Sequence, residues 1–133
     1  MDIAESCYRL TSNFPKAEQY SLVAQLRKSA VSVPSNIAEG AGRGSNTDFV
    51  RFLHIAYGSL SELETQLLLS QRLGMADLNC NKDLLARCDR LGRVLGGLIR
   101  ALSKRSEGSS TPGSTRQRTN NQNPKSKNPE TGA

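Results

Sequence analysis

The stretch Phe49-Val50-Arg51-Phe52-Leu53-His54-Ile55-Ala56-Tyr57-Gly58-Ser59-Leu60-Ser61-Glu62-Leu63-Glu64-Thr65-Gln66-Leu67 sets Phe49, Leu53, Ala56, Leu60, Leu63 and Leu67 at alternating spacings of four and three. That spacing brings apolar side chains to one seam of an α-helix, and it is the pattern of helices packed lengthwise. The predicted helix runs from about Thr47 to Leu73. The same spacing recurs three times. Ile3, Cys7, Leu10 and Phe14 form a first block stopped by Pro15, and Val23, Leu26, Ala30, Val33 and Ile37 form a second from about Glu18 to Gly40. Leu84, Cys88, Leu91, Leu95, Leu98 and Leu102 form the last, from about Leu78 to Arg105. Pro34 lies inside the second block, where a missing N–H and a clash with the preceding turn predict a kink near Ala30–Pro34.

The connections fit antiparallel neighbours. Gly40-Ala41-Gly42-Arg43-Gly44-Ser45-Asn46 reads as a glycine stop followed by a Ser or Asn cap, and Gly74-Met75-Ala76-Asp77 as a glycine stop followed by an Asp cap. Nothing alternates with period two. The expected fold is all-α, an antiparallel up-down four-helix bundle over residues 1–105. From Ser106 to Ala133 there is no Val, Ile, Leu, Met, Phe or Tyr, so this stretch is expected to be a disordered basic tail.

Two features predict company for the bundle. Helices two to four have about 25 residues, about 37 Å at 1.5 Å per residue, whereas helix one has only about 12, which leaves one end uncovered. Helix three also carries Val50, Phe52, Ile55, Tyr57, Leu68 and Leu69 away from its main seam, and apolar residues on several faces call for burial on several sides. Self-association is the economical consequence.

Charge is uneven along the chain, whose formal net charge is +6. Residues 1–76 balance seven Lys/Arg against seven acids, while residues 77–105 set seven bases against Asp77, Asp83 and Asp89. At about 100° per residue, Lys82, Arg90, Arg93, Arg100 and Lys104 gather opposite the apolar arc of helix four. Together with Arg87 and Arg105 they are the candidate nucleic-acid contacts, because such a stripe neutralises phosphates without reading bases. The six aromatic residues, Tyr8, Phe14, Tyr20, Phe49, Phe52 and Tyr57, all lie outside helix four and the tail, so base stacking is not expected beside this stripe.

Catalytic constellations find no support. The one histidine, His54, stands on a helix with no nucleophile elbow, and Arg51 occupies the place where a bundle metal site needs Glu. Glu62 and Glu64 are two apart and point to different faces. The three cysteines are odd in number and widely spaced, which fits neither a disulfide framework nor a zinc knuckle; they read as reduced, buried thiols. No catalytic residue, metal or cofactor is therefore expected. With no leader-like N-terminus and no run of about 20 apolar residues, a soluble cytoplasmic protein is expected.

The run Gln25-Leu26-Arg27-Lys28-Ser29-Ala30-Val31-Ser32-Val33-Pro34-Ser35-Asn36-Ile37-Ala38-Glu39-Gly40, with Arg43 after it, resembles the four-helix-bundle family of intervening-sequence proteins encoded inside interrupted large-subunit (23S) ribosomal RNA genes. Phe14-Pro15 with Glu18, Ala56-Tyr57-Gly58-Ser59-Leu60-Ser61-Glu62-Leu63-Glu64, and Gly92-Arg93 through Leu98-Ile99 agree with it. The resemblance implies a homo-oligomer, commonly a pentameric barrel, with Asn36, Glu39, Gly40, Arg43, Ser59 and Glu62 as motif positions of structural or inter-subunit role. It also implies kinship with the accessory variability protein of diversity-generating retroelements, which binds a reverse transcriptase and nucleic acid. The family's usual one or two further helical turns before Ile3, often bearing Trp, are not matched here, so the barrel contacts of helix one are not carried over. Two functions follow as expectations: an oligomer that binds nucleic acid, RNA in particular, or a protein adaptor for a reverse transcriptase.

Overall fold

The computed structural model describes the backbone of residues 1–122 and the side chains of residues 1–105. Its elements are α1 (Asp2–Thr11), a 3-10 turn (Lys16–Glu18), α2 (Leu22–Ala41), α3 (Asn46–Arg72) and α4 (Leu78–Gln122). Among the described residues there is no strand, and the chain is a four-helix bundle as expected. The backbone of α4 continues past the boundary expected at Arg105, and among the described residues the last buried apolar one is Leu102. The side chains of the tail expected at 106–133 lie outside the described residues.

Register is read from side chains that meet. Ser32 faces Ser59 and Gly40 faces Phe52, so α2 and α3 run antiparallel; Asn81 reaches Leu67 while Gly92 lies against Leu60, so α3 and α4 do too. The Cys7 thiol, 3.6 Å from the Leu26 carbonyl oxygen, fixes α1 on α2. The core is the seam read from the sequence: Cys7, Leu10, Phe14, Val23, Leu26, Ala30, Val33, Leu53, Ala56, Leu60, Leu63, Leu67, Leu84, Cys88, Leu95 and Leu102 are all buried.

The ends of the helices differ in detail from expectation. Phe14 is buried but lies beyond α1, which closes at Thr11, where the hydroxyl donates to the Cys7 carbonyl at 2.8 Å. Glu18 belongs to the 3-10 turn, so α2 begins later, at Leu22. Pro34 lies inside α2, as the sequence placed it, and the helix runs on past it to Ala41. Two caps are as expected. The Ser45 hydroxyl accepts from the Asp48 amide at 3.2 Å, and Asp77 Oδ1 accepts from the amides of Asn79 and Cys80 at 2.9 and 3.2 Å. At the end of α3, Gly74 at φ 73° lets Met75 N–H bond Ser70 O and its own N–H bond Gln71 O, the paired closure of a Schellman motif.

Gly40 is not the helix stop that its place in the sequence suggested. It is buried one residue inside α2, and a Cβ built on it would stand 2.6 Å from Phe52 Cβ and 3.1 Å from Phe49 Cδ1. The missing side chain is what lets the backbone of α2 approach α3.

Two predictions come from this packing. Gly40→Ala should lower stability by about 1–3 kcal/mol as an overpacked contact. Gly58→Ala, in the exposed middle of α3 with nothing within 4 Å of the added methyl, should raise it by about 0.5–1 kcal/mol. Urea midpoints of both variants check the opposed signs.

The thiols supply a further prediction. Burial pushes Cys7 up to about 11 and Cys88 up to about 12, whereas Cys80 is exposed. Native protein near neutral pH should therefore show one thiol of the three reactive toward a disulfide reagent. Unfolding lowers both buried thiols toward the ordinary thiol value of 9.0, so above that pH the unfolded chain binds fewer protons than the folded one. Stability should accordingly be fully present below pH 9 and fall as pH rises toward 12, measured by denaturant titration across that window.

Candidate nucleic-acid interface

Helix α4 buries Leu84, Cys88, Leu95 and Leu102 and half-buries Leu91, Leu98 and Ile99, which turns the opposite arc to solvent. On that arc Lys82, Arg90, Arg93, Arg100 and Lys104 are all exposed, with Arg105 exposed beyond them. Arg93 is paired, its NH2 donating to Asp89 Oδ2 at 2.7 Å. Among the described residues no carboxylate lies within 4.0 Å of Lys82, Arg90, Arg100, Lys104 or Arg105. Arg100 and Lys104 stand one turn apart with like charge, an arrangement that costs a few tenths of a kcal/mol, about 0.2–0.5, on an isolated helix.

Arg87 departs from the stripe. Its side chain is only 31% exposed, lines the clefts beside α1 and pairs with Asp83 at 3.0 Å. Its Nε is buried with no partner among the described residues. A guanidinium only partly exposed beside α1 and paired within its own helix is less open to an outside phosphate than its neighbours on α4. In the sequence it joined the candidate contacts by charge and not by its place on the stripe, and charge does not say how closely α1 covers this flank.

The motif at the α2–α3 junction is a clasp. Asn36 Nδ2 donates to the Ser32 carbonyl at 2.8 Å and to the Ser32 hydroxyl at 3.0 Å, and that hydroxyl meets the buried Ser59 hydroxyl at 2.7 Å. Buried polar groups are satisfied across the interface rather than left to solvent. One turn on, Arg43 NH2 bonds Glu39 Oε1 at 2.8 Å while its guanidinium lies 5.0 Å from the centre of the Phe52 ring. Arg51 covers the same ring from 4.7 Å. Asn36, Glu39, Gly40, Arg43 and Ser59 thus act together on the α2–α3 contact. Glu62 is not brought into this network and is exposed on α3.

A cleft of about 470 Å³ lies between α3 and α4, lined among others by Tyr57, Ser61, Glu64, Asp89, Gly92, Arg93, Gly96 and Arg100. Glu64 is half-buried here, and burial first, then the Asp89 carboxylate, holds its pKa above the usual carboxylate range. The pairing of Glu64 with Asp89 was invisible in the sequence because the two come from different helices. His54 is exposed, and among the described residues no group of three or more His, Cys, Asp or Glu could hold a metal ion. Among them, too, no helix is long and apolar enough to cross a membrane.

Comparison with solved structures finds a crystal structure of a protein of unknown function from the S23 ribosomal protein family of Bacteroides thetaiotaomicron. The TM-score is 0.61 at 19% identity, covering 73% of this chain and 97% of that one, a likeness of fold. No curated protein matches the chain significantly. The sequence model of the 23S rRNA-intervening sequence proteins matches residues 1–97, which takes in α1, the α2–α3 clasp and most of the packed part of α4. With the bundle, its register and the motif residues all in place, the chain belongs to the 23S rRNA-intervening sequence protein family.

Proposed function

We propose that the chain is a non-enzymatic protein that assembles with copies of itself, as a pentamer, and binds the backbone of nucleic acid, RNA in particular, through the exposed face of α4. The observation that carries this reading is the row Lys82, Arg90, Arg100 and Lys104, exposed and without a carboxylate within reach among the described residues. A row of like charges does nothing for the fold, and a polyanion supplies what it lacks. The family's description, which ties it to insertions in ribosomal RNA, favours RNA as the polyanion.

Self-association rests on α3. Ile55 and Tyr57 are each 43% exposed, Leu68 51% and Leu69 46%, large apolar side chains that a partner surface would take out of water. In a ring each subunit would add its own α4, so a modest patch gains by avidity on a strand long enough to span several. The same apolar surface supports a second reading, an adaptor that docks a reverse transcriptase and whose basic face only keeps it soluble.

Light scattering on the full chain at tens of micromolar should give several times the monomer mass, and Ile55→Asp should reduce it; a monomeric parent chain contradicts the assembly. For the α4 surface, log affinity against log salt should fall by roughly 0.9 per phosphate neutralised on duplex and roughly 0.7 on single strands. Replacing Arg90, Arg93, Arg100 and Lys104 together by Gln should flatten that slope and weaken duplex binding alike across sequences, with circular dichroism unchanged. Binding unaffected by the four changes would favour the adaptor.

A further inference from the structure

The hairpin of α1 and α2 builds a second basic surface, one that includes aromatic rings. Tyr8 and Tyr20 line a shallow groove of about 580 Å³ together with Val23, Arg27, Lys28 and Val31. Tyr20 is 93% exposed and Tyr8 46%. A phenol ring held almost wholly in water contributes nothing to the core, so its place in the bundle is not explained by folding.

Arg27 is fixed beside them. Its Nε donates to Thr11 Oγ1 at 2.9 Å, its NH2 to the Tyr8 carbonyl at 3.4 Å, and its guanidinium lies 4.5 Å from the centre of the Tyr8 ring. These bonds hold the cation at the C-terminal end of α1 and leave others of its five N–H donors for a ligand. Lys28 follows on the same groove, and between Ser12 and Val31 the chain carries Lys16, Arg27 and Lys28 against a single acid, Glu18. Glu18 accepts from the Ser21 hydroxyl at 2.8 Å and does not line the groove.

We infer that the Tyr8–Tyr20–Arg27–Lys28 groove is a binding surface for single-stranded nucleic acid, with bases stacking on the tyrosines and phosphates meeting Arg27 and Lys28. Exposed aromatic faces beside fixed cations are the chemistry that grips unpaired bases irrespective of sequence. In a duplex the bases are already stacked and the rings have nothing to engage. The α4 stripe lacks aromatics and meets only backbone, so the two surfaces differ in the strand state they favour. The inference extends the nucleic-acid reading of the preceding subsection, yet it stands or falls on different residues.

The test uses the full chain and a fluorescein-labelled oligothymidylate beside a labelled duplex of equal length, followed by anisotropy. Tyr20→Ala should weaken the single strand about fivefold or more, Tyr20→Phe should retain it, and neither should change duplex affinity. Lys28→Gln should lower the salt slope on the single strand by roughly 0.7. Circular dichroism and scattering mass should be those of the parent, since Tyr20 is exposed. Three results would overturn the inference: no binding of the oligothymidylate, equal affinity for parent and Tyr20→Ala, or a fall in assembly mass on Tyr20→Ala, which would make this face a contact between copies. Loss of duplex binding in the quadruple α4 variant alone, with the tyrosine-dependent single-strand binding kept, would separate the two surfaces. Failure of the α4 surface would instead show as a duplex affinity indifferent to those four changes.

Discussion

Everything in this bundle is referred to the close approach of α2 and α3 at Gly40. Phe49 and Phe52 pack onto a backbone that has no Cβ at that point, and the contact fixes how far apart the two longest-paired helices stand. Once that spacing is set, the Ser32 and Ser59 hydroxyls come within hydrogen-bond distance, and Asn36 can cap the pair from the same helix. Arg43 and Arg51 then lie over the Phe52 ring from outside. Polar and apolar parts of the clasp depend on one distance. A single methyl group disturbs all of them.

The remaining helices are added to this pair by softer means. Helix α4 lies on α3 through leucines and small residues, with Gly92 against Leu60, and its start is held by Asn81, whose Nδ2 donates to the Leu67 carbonyl at 3.1 Å and to Gln71 Oε1 at 3.0 Å. Helix α1 is shorter and more locally tied, by the Cys7 thiol to the Leu26 carbonyl and by Arg27 to Thr11. Since α1 spans ten residues against twenty in α2, Val94 on α4 remains 64% exposed, and Ile37 and Leu98 are only partly covered. Charge follows the same division. Helices α2 and α3 together carry as many acids as bases, and among the described residues the excess sits on α4.

Much of this was legible from spacing alone. Every residue of the buried core named above belongs to an apolar block with alternating steps of three and four, because burial on one side of a helix leaves no other period available. The Ser45 and Asp77 caps were legible for an equally local reason, as a short oxygen side chain three residues before a run is an N-terminal signature. What could not be read is what depends on neighbours in space. Gly40 looked like a stop because glycine usually is one after a helix; that it is a contact point needed Phe52 to be placed. Arg87 joined the candidate contacts by charge, and its partial cover beside α1 shows only once the helices are packed. Tyr8 and Tyr20, twelve positions apart on either side of a turn, share a groove only once the hairpin has closed.

The manner in which α1 is attached has a dynamic consequence. Its amides have to be protected by ten residues of helix and a few ties to α2 and α4, against the long seams that protect α3. Such an element opens as a cooperative unit below the free energy of global unfolding, so its amides exchange with solvent deuterium ahead of those in α2 and α3. Opening would carry Tyr8 and the Thr11 acceptor away from Arg27 in the same step, so the groove and its fixed cation exist only in the closed hairpin. A ligand held there would slow that exchange, and occupancy of a surface site would be recorded in the breathing of the shortest helix.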